Sequence, residues 1–268
     1  NDKTLMVLTT NSYIDKAYPK NELQLYNLSE DTLVKISPYN NFNYIYADFL
    51  EDKIVFLGSD MKSFGINQNP HFYLTDYDGH QSFKISKDEF NFSISNSIAS
   101  DCRYGKSNSI KVEGKYLYFV TTEGDSSFVN RINNQGTIEK LSSKKGSIDG
   151  LDIYKENIAF IGLRSLRLQE VYALNNKKEI QITRFNDWVI KNKTLSIPEK
   201  LTFKTEEEIL IEGWVMKPVD FTPGKTYPAI LNIHGGPKTA YGEVFFHEMQ
   251  YWANNGYVVF FCNPRGSD

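Results

Sequence analysis

The sequence is poor in the residues that mark several classes of protein. Its 268 residues include only two cysteines, Cys102 and Cys262, and a pair so far apart builds neither a disulfide framework nor a zinc-binding spacing. We expect both thiols to behave as small apolar side chains, buried or half-buried. The sequence has no run of about 18 apolar residues, so it predicts no transmembrane helix. Its first residues show no signal-peptide pattern.

An excess of charge of one sign is also lacking. Thirty Lys and Arg residues nearly balance 33 Asp and Glu residues, which leaves a formal net charge of −3. Nucleic acids and anionic membranes attract strongly basic surfaces, so we expect neither as a partner. No cofactor-binding motif is found, and we predict no cofactor and no metal ion. We expect a cytoplasmic protein, although Asn1-Asp2-Lys3 does not resemble a natural start.

What the sequence does contain is a repeated pattern of short strands. Hydrophobic residues make up 40% of the chain, which is enough for a sizeable core. From residue 1 to about 195, apolar strands alternate with polar turns, and no helix is predicted. Each repeat has an apolar strand, a second strand, a polar turn and a short closing strand that ends in Ser or Thr. The closing residues are Ser37, Ser86, Ser142 and Thr183.

Three of these repeats also begin with a leading strand, at Phe42–Leu50, Ser109–Val112 and Ile148–Tyr154. Units of four antiparallel strands that recur every ~40–50 residues are typical of β-propeller blades. A β-sandwich with regularly spaced strands is the alternative. The fixed order of the strands within each repeat favours the propeller, and we predict about four blades.

The repeated pattern stops in the segment Asn186–Pro198, which we interpret as a hinge between two domains. The first domain is predicted to span residues 1–195 and the second 196–268. The second begins with two predicted strands, Glu199–Lys204 and Ile209–Lys217, on either side of the acidic run Glu206–Glu208. A metal site or a substrate patch would use such carboxylates, but charged residues in a short connection are normally exposed to solvent. We therefore predict a solvated hairpin turn.

The stretch Tyr227–Arg265 predicts a strand, a glycine turn, a helix and a second strand. The first strand is Tyr227–Ile233. Apolar residues at helical spacing predict a helix over Tyr241–Asn255, with His247 on its solvent-exposed side. The strand Tyr257–Cys262 is apolar throughout and is predicted to be buried on both faces of a parallel sheet. Strand, helix and strand joined by short turns indicate a right-handed crossover in a doubly wound α/β sheet.

The glycine turn, His234-Gly235-Gly236-Pro237, follows the first of these strands directly. Adjacent glycines let the backbone approach a ligand closely, and open α/β sheets bind ligands at the carboxyl ends of their strands. The second strand leads into Asn263-Pro264-Arg265-Gly266-Ser267. Together with Lys217-Pro218 and Tyr227-Pro228, the order and spacing of these motifs resemble the prolyl oligopeptidase family of serine peptidases, and most closely its acylaminoacyl-peptidase branch.

The resemblance implies a mostly β protein in which a partial β-propeller precedes the N-terminal part of an α/β-hydrolase sheet. It implies that the Gly236 N–H contributes to the oxyanion hole, with His234 and Gly235 shaping the turn. It also implies that Arg265 lies near the substrate, and that the substrates are short peptides cleaved through an acyl-enzyme. For His234, simple packing or hydrogen bonding at the strand end is the alternative interpretation.

The sequence departs from the family because it contains no G-x-S-x-G nucleophile motif. The catalytic serine, aspartate and histidine would follow Asp268, so we expect this chain to be inactive by itself. A sheet cut after its fourth strand would expose an apolar face and an open edge. The remainder of the catalytic domain, or a second copy of the chain, is the partner expected to cover them. A non-catalytic propeller that binds a partner is the alternative function.

Overall fold

The structure, a computed structural model, describes residues 4–11, 20–103, 108–236 and 238–268, with the backbone alone described for residues 4–11 and 20. Within these residues the chain forms two compact units. One comprises Asn1–Phe92, Lys111–Tyr118 and Arg131–Glu139, and the other Ser93–Ile110, Phe119–Asn130 and Lys140–Asp268. None of the described helices has the length and apolar composition needed to cross a membrane.

The first fifteen described strands form one three-stranded and three four-stranded sheets, in each of which neighbours in sequence are neighbours in space. The first sheet contains β1 (Thr4–Asn11), β2 (Lys20–Asn27) and β3 (Thr32–Lys35). The second contains β4 (Asn43–Leu50), β5 (Lys53–Ser59), β6 (His71–Thr75) and β7 (Ser82–Lys84), with a 3₁₀ turn at Gly65–Asn67. The third contains β8 (Ile110–Glu113), β9 (Tyr116–Glu123), β10 (Ser126–Asn133) and β11 (Ile138–Lys140). The fourth contains β12 (Ser147–Tyr154), β13 (Asn157–Leu163), β14 (Glu170–Asn175) and β15 (Lys178–Gln181). The predicted leading strands are present in the last three.

The Ser or Thr that closes each repeat has the same hydrogen bond in all four sheets. Its hydroxyl oxygen accepts the backbone N–H of a residue on the adjacent strand, at the point where regular pairing ends. The donor–acceptor distances are 2.8 Å for Leu23 to Ser37, 3.0 Å for Phe72 to Ser86, 2.9 Å for Val129 to Ser142 and 2.9 Å for Val171 to Thr183. The hydroxyl thus satisfies a backbone donor that the shortened strand does not reach, and buried donors of this kind require a partner.

Replacement of Ser142 tests this repeated bond. We expect Ser142→Ala to lower the free energy of unfolding of the full-length protein by about 1–3 kcal/mol, because the fully buried Val129 N–H loses its acceptor. Ser143→Ala is the matched control, since Ser143 is exposed and its change should stay within about 0.5 kcal/mol. Urea unfolding measures both, and equal losses in the two variants would contradict the role given to the hydroxyl.

The segment Asn186–Pro198 contains a helix that the sequence pattern does not predict. Residues Asp187–Asn192 form α1, so the expectation of no helix before residue 195 is wrong. A helix of six residues is too short to display a full apolar face, and contacts with distant residues hold it instead. The Glu170 carboxylate accepts the Asn186 N–H over 2.7 Å, just before the helix begins, and Asp187 pairs with Arg167 over 2.6 Å.

The last sheet contains β16 (Glu199–Lys204), β17 (Leu210–Met216), β18 (Ala229–Asn232) and β19 (Val258–Asn263) in the order β16-β17-β19-β18. The strand–helix–strand prediction is confirmed, because β18 and β19 are parallel and α2 (His247–Asn254) lies between them in sequence. The sheet is mixed, however, since β19 runs antiparallel to β17 and β17 runs antiparallel to β16.

The sheet packs against α2 on one of its faces. Its core cluster joins sheet and helix residues: Trp214, Met216, Tyr241, Met249, Ala253, Val259 and Phe261. The prediction that β19 is buried on both faces is therefore wrong, because Phe260 and Cys262 on its other face are only half-buried. β18 is an edge strand, as predicted for a sheet of four strands: Leu231 within it is 58% exposed, and Ile233 just after it is 73% exposed. Cys102 is also half-buried, so both thiols lie as expected.

The helix predicted over Tyr241–Asn255 begins six residues later than expected, at His247. Residues 241–246 instead form an irregular segment in which Tyr241, Val244 and Phe245 are buried. The Asp101 carboxylate, distant in sequence, accepts the first backbone N–H groups of the helix and so determines where it starts. His247 is exposed, as predicted.

Candidate active site

The glycine turn lies at the carboxyl end of β18, where open α/β sheets bind ligands. β18 ends at Asn232, and no helix or strand is present between it and α2 within the described residues. His234 is half-buried, whereas Gly235 and Gly236 are exposed. The chain therefore presents two adjacent backbone N–H groups to the surroundings at this end of the strand.

At Gly236 the backbone N–H has no partner among the described residues, and there is no room for a Cβ atom. Within the described residues, the Gly236 N–H has no hydrogen-bond partner. A Cβ atom at this position would lie 2.9 Å from the backbone nitrogen of Lys238, closer than real contacts allow. At Gly235 a Cβ atom would have no neighbour within 4 Å. Glycine is thus sterically required at Gly236 but not at Gly235.

The His234 side chain joins the glycine turn to the loop that follows β19. Its Nδ1 atom lies 3.0 Å from Gly235 O, and its Nε2 atom lies 3.0 Å from Ser267 Oγ. The Ser267 hydroxyl also contacts Pro264 O over 2.8 Å. His234 therefore has hydrogen-bonding contacts on both sides of its ring, which is the structural role that the sequence left as an alternative for this residue.

Tyr241 connects the ends of the two parallel strands. Its hydroxyl hydrogen-bonds to Asn232 Oδ1 at the end of β18. The Asn263 side chain, at the end of β19, accepts the Tyr241 N–H over 2.7 Å and donates to Tyr241 O over 2.9 Å. Burial raises the pKa of Tyr241 to about 12, so its hydroxyl remains a hydrogen-bond donor throughout the physiological range. The rings of Tyr241 and His234 pack edge to face, with 5.0 Å between their centroids.

Arg265 lies at the surface beyond β19. Its guanidinium pairs with Glu207 over 2.9 Å, and the two side chains are 73% and 67% exposed. An ion pair so exposed contributes little to stability. Both residues border a cavity of about 460 Å³, whose lining also includes Phe203, Ile211 and Cys262 of the sheet. Glu206–Glu208 form the exposed turn between β16 and β17, so the predicted solvated hairpin is present.

This end of the sheet thus offers an exposed backbone hydrogen-bond donor, the Gly236 N–H, that has no partner among the described residues. No group of three His, Cys, Asp or Glu residues in the described part of the chain is arranged to hold a metal ion. The sequence singled out His234, Gly235, Gly236 and Arg265, but it did not assign roles to Tyr241, Asn263 or Ser267. Asn263 and Ser267 belong to the Asn263–Ser267 motif on which the family resemblance rests, and this motif was the sequence signal that could have identified them.

The known proteins that this chain is similar to are peptidases. No protein-family model matches the chain. The chain is 35% identical over 154 residues to the uncharacterized peptidase YuxL of Bacillus subtilis (strain 168), a match that covers 56% of this chain and 23% of that protein. It is 41% identical over 59 residues to dipeptidyl-peptidase 5 of Arthroderma otae, covering 21% of this chain and 8% of that protein.

A solved structure of an acylaminoacyl peptidase in complex with Z-Gly-Gly-Phe-chloromethyl ketone has a similar fold. It matches 99% of this chain with a TM-score of 0.80 at 22% sequence identity, and the match covers 39% of the solved chain. The chain therefore spans less than half the length of the proteins it matches. These relatives and structural neighbours are peptidases of the prolyl oligopeptidase and acylaminoacyl peptidase type, which confirms the resemblance seen in the sequence motifs.

Proposed function

We propose that this chain is part of a serine peptidase of the prolyl oligopeptidase type that cleaves short peptides. In this proposal the acyl carbonyl of the substrate lies against the glycine turn, and the Gly236 N–H donates to its oxygen as negative charge develops there. The unpaired Gly236 N–H, exposed at the end of β18, is the observation that carries the proposal. A donor fixed before the reaction stabilises the tetrahedral intermediate without reorganising when it forms.

The surroundings of Gly236 suit this role because they restrain the turn from two sides. His234 connects it to Ser267, and Tyr241 connects the strand before it to the strand after α2. Such restraint matters, since catalytic groups have to be held within about 0.5 Å of their working positions. Arg265, in the same loop as Ser267, is the residue we assign to the vicinity of the substrate.

The four repeated sheets, in this proposal, are blades of a β-propeller that spans residues 1–195, and the catalytic domain begins at residue 196. The meander order of each sheet and the shared Ser or Thr bond support this interpretation. The propeller would admit short peptides to the site and exclude folded proteins. The peptidyl inhibitor named with the acylaminoacyl peptidase structure is consistent with a peptide as the substrate.

The nucleophile belongs, in this proposal, to a part of the full-length protein that these 268 residues do not contain. The sequence has no G-x-S-x-G motif in which a serine could occupy a nucleophile elbow. Oxyanion stabilisation without the triad leaves only a small fraction of the normal rate. The 268-residue chain alone should therefore hydrolyse neither peptides nor esters at a useful rate.

A fluorophosphonate probe tests the proposal because it reacts with an activated serine. We expect the full-length protein to be labelled stoichiometrically and to lose peptidase activity in parallel, whereas the 268-residue chain is not labelled. A panel of N-acylated and free peptides then gives the substrate preference. If the full-length protein is not labelled, the chain is better described as a non-catalytic binding module.

A further inference from the structure

A segment between two of the sheets contacts the chain that follows the glycine turn. We name this segment, residues Ser93–Cys102, the strap; it connects β7 to β8 and has no regular strand or helix. Thr122 of β9 fixes its first half, because the Thr122 N–H donates to Ser93 O over 3.1 Å and its hydroxyl donates to Ser95 O over 2.8 Å. The same hydroxyl oxygen accepts the Ser97 N–H over 2.8 Å. Three hydrogen bonds to Thr122 therefore hold the first half of the strap against β9.

The middle of the strap pairs with Ala240, shortly after Gly236 in the chain. The Ala240 N–H donates to Ser97 O over 3.1 Å, and the Ala99 N–H donates to Ala240 O over 2.7 Å. These two bonds form an isolated parallel bridge between Ile98 and Ala240, both of which have no exposed surface. Among the described residues, this bridge is the only β pairing of the irregular chain between β18 and α2.

The end of the strap determines where α2 begins. Asp101 Oδ1 accepts the His247 N–H over 2.6 Å, and Asp101 Oδ2 accepts the Glu248 N–H over 2.8 Å. The residue at the helix N-cap position, Phe246, forms no side-chain cap of its own. A carboxylate at this position satisfies the free donors of the first turn and interacts favourably with the helix dipole. Asp101 thus supplies the missing cap from another part of the chain.

The beginning of the strap makes a third connection. Ser93 Oγ donates to Asp268 Oδ1 over 2.5 Å, and Lys238 Nζ lies 3.4 Å from the same oxygen. The Asp268 side chain is only 3% exposed. Because Lys238 closely follows Gly236, this connection ties the strap to the chain just after the glycine turn, which also contains Ala240.

We propose that the strap positions the oxyanion turn, and that Asp101 is a positioning residue for the reaction although it touches no substrate. This inference rests on the proposed peptidase function. The turn is held at one end by β18 and at the other by Ala240 and α2, and the strap holds that second end. Loss of the Asp101 cap should let Ala240 and the start of α2 move, and the Gly236 N–H should move with them.

Asp101→Ala in the full-length protein tests the inference. We expect kcat and the rate of fluorophosphonate labelling to fall about tenfold with KM changed less than about twofold, because a small misplacement of a catalytic group lowers the rate and not the ground-state binding. Asp101→Asn keeps an acceptor oxygen and should restore most of the rate. Asp220→Ala is the matched control, since Asp220 is exposed and its carboxylate has no hydrogen bond or ion pair among the described residues.

Hydrogen exchange provides a readout that does not depend on activity. Backbone exchange in residues 238–246 should rise by about fivefold or more in Asp101→Ala and remain unchanged in Asp220→Ala, because local opening sets the exchange rate. Faster exchange with an unchanged kcat would overturn the positioning role. Unchanged exchange would show that the strap does not hold this segment. A wild-type protein that the probe fails to label overturns the peptidase function instead, while exchange still decides whether the strap restrains the turn.

Discussion

Gly236→Ala should lower kcat of the full-length protein by about 100-fold, with KM close to that of the wild type. A Cβ atom at this position would lie 2.9 Å from the Lys238 nitrogen, so the backbone has to shift to accommodate it. The shift moves the N–H away from the place where negative charge develops on the substrate. The loss falls on kcat because the donor acts on the transition state more strongly than on the bound substrate.

Gly235→Ala is the matched control for this substitution. The same methyl group, one residue earlier, would have no neighbour within 4 Å, so we expect kcat to change by less than about threefold. Steady-state kinetics with an unhindered peptide substrate measure both variants, and thermal unfolding verifies that both are folded. Equal losses at the two positions would indicate that the flexibility of the turn matters rather than the position of one donor. A Gly236→Ala variant within twofold of wild type would remove the oxyanion assignment.

The strands of this protein could be predicted because their signals are local. Alternating apolar residues and polar turns predicted the leading strands, including Phe42–Leu50, which the structure places at Asn43–Leu50. The repeated Ser or Thr was visible as a pattern before its function was known. Its hydrogen bond to a neighbouring strand explains why a small hydroxyl residue recurs at that position.

The features that sequence reasoning missed all depend on contacts between residues distant in the chain. The start of α2 is determined by Asp101, which lies 146 residues before the first N–H that it caps. The apolar residues of β19 are equally apolar on both faces, and only the packing of α2 decides which face is buried. The sequence pattern placed Tyr241 in a helix and Asn263 in the motif after β19. Neither pattern predicts the hydrogen bonds that join the two residues.

A buried ion pair in the fourth sheet was also invisible in the sequence, and it supports the largest effect on stability that we predict. The Arg164 guanidinium pairs with both carboxylate oxygens of Glu179, over 2.9 and 3.0 Å, and the two side chains are 8% and 2% exposed. Arg164 also donates to Ser147 O over 3.0 Å, and its guanidinium carbon lies over the Phe160 ring, 4.9 Å from the ring centroid. The pair therefore connects β15 to the connection after β13 and to the start of β12.

Glu179→Ala should lower the free energy of unfolding of the full-length protein by about 3–5 kcal/mol, because it leaves the Arg164 guanidinium buried without a counter-charge. Urea unfolding measures the change. Glu199→Ala is the control for a solvated pair: its partner Lys217 lies 2.7 Å away, but the side chains are 58% and 39% exposed. We expect that variant to lose at most about 1 kcal/mol.

The double substitution Arg164→Met with Glu179→Leu separates the two contributions to this loss. Burial of charges is itself unfavourable, so replacing both partners by apolar residues of similar volume is often neutral or stabilising. We therefore expect the double variant to recover most of the stability that Glu179→Ala loses, to within about 1 kcal/mol of wild type. A double variant as unstable as Glu179→Ala would contradict the assignment of that loss to the unpaired charge, because the double variant contains no charge at either position. If the free energy of unfolding of Glu179→Ala is within about 1 kcal/mol of that of the wild type, water reaches the Arg164 guanidinium and the pair is not buried in solution.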